Sequence, residues 1–106
     1  MGTLPVSEMQ DRLLAVDGVH SVRRTASIEG FEDLDVRVDD PVHDLLIWRD
    51  LRRCRSRVFV RDVVVDDVPD AWLEELTARV ARGDYEVNGL SIVVSLGGTV
   101  RTLVGG

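Results

Sequence analysis

Lysine is absent: all 13 basic residues of the 106-residue chain are arginine. The bias reads first as the codon usage of a high-GC genome, yet its chemical consequence is independent of origin. Without an ε-amino group there is no Schiff base, no phosphate-loop lysine, no isopeptide acceptor and no lysine-dependent nuclease motif. Cysteine is nearly absent too. The lone Cys54 cannot close an internal disulfide, so nothing calls for an oxidising compartment. Long apolar runs are missing: the longest, residues 90–96, includes two serines and is far too short to span a bilayer. The N-terminus lacks the basic start and apolar stretch of a signal peptide, and Val6 stands where a myristoylation signal needs Ser or Thr. A cytoplasmic protein with no membrane association is expected. Positive charge is in deficit, and a net charge of −6 disfavours nucleic acid and anionic lipid as partners.

What is present is the composition of a globular protein. Hydrophobic residues make up 44% and charged residues 30%, well away from the profile of a disordered chain, and the length suits one domain over 1–106. Ser7 and Gln10 stand at capping-box spacing, Met9, Leu13 and Val16 recur at helical spacing, and Gly18 offers a stop. This predicts a first helix over 7–17. Residues 19–28, with Val22, Ala26 and Ile28 on one side, and the alternating Leu34, Val36 and Val38 flank Glu29-Gly30, which predicts a hairpin with one wet face. Asp40-Pro41 looks like a helix start, and the arginines at 49, 52 and 53 suit a helix end, which predicts a second helix over 41–53. Periodicity alone leaves residues 45–48 equally compatible with a buried strand. Residues 58–65 are apolar on both parities except at Arg61-Asp62, as in a strand covered on both sides and bulged in the middle.

Asp67, Asp70 and Pro69 before the stripe Trp72, Leu73, Leu76 and Val80, with Gly83 beyond it, mark the clearest helix. Asn88-Gly89 predicts a type I′ turn from residues 85–87 into 90–96, and Gly97-Gly98 turns into 99–104. The expected class is therefore α+β: a largely antiparallel sheet with about three helices mainly on one face, in the order α-β-β-α-β-α-β-β-β.

Chemistry-bearing constellations are sparse. Cys54 with His20 or His43 as base would need a third group to orient the histidine, and a helix C-terminus disfavours the thiolate. Aspartates at 33, 35, 39, 40 and 44, and again at 62, 66, 67 and 70, are read as solvated strand faces and helix starts. No metal, cofactor or catalytic residue is assigned. Arg82-Gly83-Asp84 matches an adhesion tripeptide and is read as a glycine-capped helix end. Trp48 and Trp72 are each flanked by helical apolar positions and are both expected to anchor the core, Trp72 more firmly than Trp48. The densest feature runs from Trp48 to Arg57, where five guanidiniums could grip a partner's carboxylates. Trp48, Arg49, Arg52, Arg53 and Arg57 are the candidate partner-binding residues, with Arg49, Arg52 and Arg53 sharing one helix face.

Leu103-Val104-Gly105-Gly106 resembles the C-terminal tail of ubiquitin-like and sulfur-carrier proteins. That resemblance implies activation at Gly105 and Gly106. In general character the chain also resembles immunity proteins and secretion chaperones, small acidic domains that work by binding. The leading expectation is a non-enzymatic protein that masks or delivers another protein, identity open, with the sulfur carrier as alternative. Two-sided apolar strands also allow a homodimer.

Overall fold

The computed structural model describes residues 8–105. A short helix, α1 (Glu8–Leu14), leads into five strands: β1 (Val19–Ile28), β2 (Phe31–Val38), β3 (Leu45–Asp50), β4 (Arg55–Val60) and β5 (Val63–Pro69). They pair in chain order as an antiparallel meander. Helix α2 (Asp70–Ala81) then precedes a second antiparallel sheet, β6 (Glu86–Asn88), β7 (Ser91–Leu96) and β8 (Thr99–Val104). The class is α+β, as the sequence implies, with two α-helices among the described residues instead of three.

One hydrophobic cluster joins these parts. Leu34 and Val36 of β2, Leu45 and Ile47 of β3, Val58 and Val60 of β4 and Val65 of β5 project from the same face of the large sheet. Against them lie Met9 and Leu13 of α1, Leu73, Leu76 and Val80 of α2, and Ile92, Val94 and Leu96 of β7. The α2 stripe follows the expected spacing, and its end is closed by Gly83 at φ 73°: Gly83 N donates to Val80 O and Asp84 N to Arg79 O. These two bonds satisfy carbonyls the helix would otherwise leave open. Trp72 is half-buried against the cluster, with the Arg101 guanidinium 4.6 Å from its ring.

The principal correction concerns residues 41–53. Asp40 does accept a hydrogen bond from Val42 N, but the result is one 3-10 turn, Pro41–His43, after which the chain runs straight into β3. Leu45 and Ile47 fit the core face of a central strand, flanked by β2 on one side and β4 on the other. A strand paired on both edges satisfies more backbone groups and buries this run more completely than a three-turn helix would.

The expected bulged strand over 58–65 is a tight hairpin instead. Arg61 adopts a positive φ of 54°, and Val60 pairs directly with Val63. Each strand then needs cover on one face only. Asp67 belongs to β5 rather than to a helix start, and α2 begins at Asp70 behind Pro69 without a side-chain cap. The first helix is Glu8–Leu14, shorter than 7–17, and Ser7 of the expected capping box lies outside the described residues. Gln10 donates to Val22 O, tying α1 to β1. In the second sheet Asn88 pairs with Ser91, so the turn is Gly89-Leu90, one residue later than the expected Asn88-Gly89. Ile92, Val94 and Leu96 face the core, as they would in either register, because a shift of two residues leaves the facing of a strand unchanged.

Candidate functional site

The large sheet has a second face, and among the described residues it is uncovered. Strand alternation sends every other side chain there. In register across β2, β3 and β4 stand Asp33, Trp48 and Arg57. The neighbouring row carries Ile28, Phe31, Asp50 and Arg55, and the row on the other side Asp35, Leu46, Phe59 and Val64. Ile28, Phe31, Trp48, Phe59 and Val64 therefore form an apolar diagonal that crosses all five strands. Ile28 is 69% exposed, Phe31 44% and Trp48 42%, values a core position would not show, so Trp48 is not the core anchor its expected helical setting implied: on a strand its side chain goes to the open face. The Trp48 and Phe59 rings meet edge to face with centroids 4.5 Å apart, a geometry that holds the indole in place while leaving it accessible.

Over the upper half of this diagonal lies a groove of about 680 Å³. Ile28, Phe31 and Trp48 line it, and Asp33, Arg53, Arg55, Arg57, Asp66 and Asp67 contribute its polar groups. The volume lies in the range of ligand sites, but the groove is an open trough on a sheet, suited to a chain segment.

The arginines expected to share a helix face are dispersed by the β3–β4 hairpin. Arg49 points to the opposite face from Trp48, where Nη1 donates to Glu32 Oε1 at 2.9 Å and Nη2 to Asp70 Oδ2 at 3.0 Å. Its side chain is only 11% exposed and that of Glu32 5%, so this is a nearly buried bridge between β2, β3 and the start of α2. Arg52 and Arg53 are exposed in the turn after β3, at 4.0 Å from Glu29 and Asp50 respectively. Arg57 forms an ion pair with Asp66, and Arg55 Nη1 donates to the Asp67 carbonyl. Of the five candidates, Trp48, Arg53 and Arg57 line the groove; Arg49 borders it too, but its guanidinium is held by Glu32 and Asp70, and Arg52 is not part of the lining.

Compared with protein-family models, curated proteins and solved structures, the chain matches none. The site therefore rests on its own geometry.

Other candidate groups are engaged elsewhere. Cys54 is exposed in the β3–β4 turn at φ 55°, not at a helix end, and its Sγ lies 3.9 Å from Leu51 O. His43 Nδ1 shares a 2.7 Å hydrogen bond with the Tyr85 hydroxyl, and His20 pairs with Asp39. Tyr85 thereby ties the α2–β6 loop to the β2–β3 connection. Burial pushes its phenol above the usual tyrosine range, against the opposing pull of Arg61. Among the described residues no three of His, Cys, Asp and Glu gather as a metal site, and no helix is long and apolar enough to cross a membrane.

Gly105 lies against β5, where a Cβ would come within 2.4 Å of the Val64 carbonyl oxygen. This close approach gives Gly105 a packing reason independent of any chemistry at the chain end. Gly106 lies outside the described residues.

Ile28, Phe31, Asp33 and Phe59 join the site without having been singled out as partner-binding residues. A signal existed for one of them: Phe31 shares the polar parity of β2 with Asp33, Asp35 and Arg37, an aromatic on the wet side. Ile28 instead corrects an expectation: its spacing from Val22 put it on the apolar side of the first strand, but the register shift between Arg24 and Ala26 carries it to the open face.

Proposed function

We propose that this protein is a stoichiometric binding module that holds a segment of another protein across the open face of its large sheet, without covalent chemistry. The observation that carries this reading is the uncovered apolar diagonal from Ile28 to Val64. Exposed apolar patches rimmed by charge mark interaction sites, and aromatic residues are the side chains most enriched at interface centres. Trp48, the central member, is the expected anchor; Arg57 and Arg53 orient the partner at the rim. Masking or delivering that partner follows from binding alone and calls for no cofactor. A lone exposed thiol suits a reducing compartment, so the cytoplasm is part of the proposal.

The test compares proteins recovered on immobilised wild type with those recovered on Trp48→Ser, both checked for native far-ultraviolet circular dichroism. A binding partner should be depleted at least tenfold by the substitution, as loss of about 1.4 kcal/mol or more at a hot spot requires. An identical set of recovered proteins would refute the assignment.

A further inference from the structure

Along the chain the Trp48–Arg57 run presents a cluster of arginines, and so a site for carboxylates. The structure reverses that balance. Arg57 is committed to Asp66, Arg49 is withdrawn to the inner face, Arg55 donates to a backbone carbonyl, and Arg53 lies beside Asp50. Among the described residues the Asp33 carboxylate has neither a hydrogen bond nor an ion pair. It stands directly across the strand pair from Trp48, at the groove wall, two residues after Phe31 and so on the same strand face. The Asp67 carboxylate, at the other wall, is likewise without a partner among the described residues.

Resting on the binding reading above, we infer that the groove takes a basic, apolar peptide segment of the partner, with an arginine or lysine side chain laid over Trp48 and paired to Asp33. The chemistry is specific. An indole face attracts a cation through its quadrupole, and a carboxylate beside that face adds direct charge pairing in a partly desolvated trough. Ile28 and Phe31 then receive the apolar residues flanking the cation. The field of the whole chain acts in the same sense, because a net charge of −6 accelerates encounter with a basic segment and repels an acidic one. The internally paired arginines keep a role as rim donors to the segment's backbone carbonyls.

A phage-displayed library of random peptides, selected on the wild-type protein, tests this without knowledge of the partner. Enriched sequences should carry arginine or lysine next to apolar residues. Synthetic peptides of those sequences, read by fluorescence anisotropy, should lose binding to Trp48→Ala and weaken about tenfold with Asp33→Asn, and further as salt rises. Asp33→Asn should leave the urea midpoint unchanged, because no contact of that carboxylate is lost, and this separates recognition from folding. Acidic enriched peptides that still depend on Trp48 would overturn the basic-segment inference and leave the groove reading intact. Absence of enrichment, or peptides indifferent to Trp48→Ala, would overturn both. A homodimer seen by light scattering and dispersed by Trp48→Ala would place a second copy in the groove and overturn the inference.

Discussion

Replacing Arg49 with alanine decides whether that guanidinium holds the fold together or serves a partner. In the structure it bridges two carboxylates at 2.9 and 3.0 Å, and its most enclosed partner, Glu32, is 5% exposed. A pair of unit charges about 4 Å apart attracts by about 4 kcal/mol at an effective dielectric constant of 20. In the native protein that attraction is largely offset by desolvation. Alanine removes the attraction and leaves Glu32 desolvated, with Arg24 at 3.6 Å as a longer contact. Stranding one member of a buried pair costs about 3 to 5 kcal/mol. The Arg24 contact places the expectation near the low end, about 3 kcal/mol. The Asp70 arm adds under about 1 kcal/mol, since Asp70 is 28% exposed and screened by water. With a urea slope of about 1 kcal/mol per molar for a chain of this size, the unfolding midpoint should fall by about 3 M. Arg49→Met combined with Glu32→Leu removes both charges and fills the space, and should return to within about 1 kcal/mol of wild type. The assay is urea unfolding followed by circular dichroism. A loss below about 1 kcal/mol for Arg49→Ala, or a double variant less stable than the single, would refute the structural role and restore Arg49 as a partner-binding residue.

Tyr85 sets a pH dependence. Its phenol is raised by burial, so the folded state holds that proton more tightly than the unfolded chain. The stability this contributes is complete below the ordinary tyrosine value of about 10 and is lost as pH rises through it toward the higher folded value. Urea midpoints across roughly pH 8 to 11 should therefore decline for wild type and flatten for Tyr85→Phe, which also forfeits about 1 kcal/mol at neutral pH with the His43 hydrogen bond. An equal alkaline decline in both proteins would contradict this. Gly105→Ala should lower stability by about 1 to 3 kcal/mol, because the added methyl meets a backbone carbonyl that cannot rotate away. An unchanged melting temperature would show that β8 and β5 are not held in that approach.

Local signals were legible where one residue type answers one backbone need. Gly30 and Gly83 sit at φ 84° and 73° at the hairpin and helix end their spacing implied, and the Gly97-Gly98 turn joins β7 to β8. The α2 stripe was equally plain. Asn88-Gly89 identified a hairpin and misplaced its turn by one residue, since both registers send Ile92, Val94 and Leu96 to the same face and the apolar alternation does not choose between them. Residues 45–48 could not be assigned from their own pattern, since four consecutive apolar residues satisfy either period.

The sequence by itself determined the α+β class, the exclusion of lysine chemistry, and the positions of α2 and the C-terminal meander. The direction of its neighbours was decided only by tertiary pairing. Once β2 and β4 claim the backbone of β3, consecutive side chains point to opposite faces. Arg49 then goes inward to Glu32 and Asp70, while Trp48 goes outward beside Asp33. A charge whose partner lies 17 or 21 residues away has no local signature. For that reason the arginine cluster reads as a free cationic patch along the chain and becomes, in three dimensions, a set of guanidiniums engaged by carboxylates or a backbone carbonyl, around a groove in which the Asp33 and Asp67 carboxylates have no partner among the described residues.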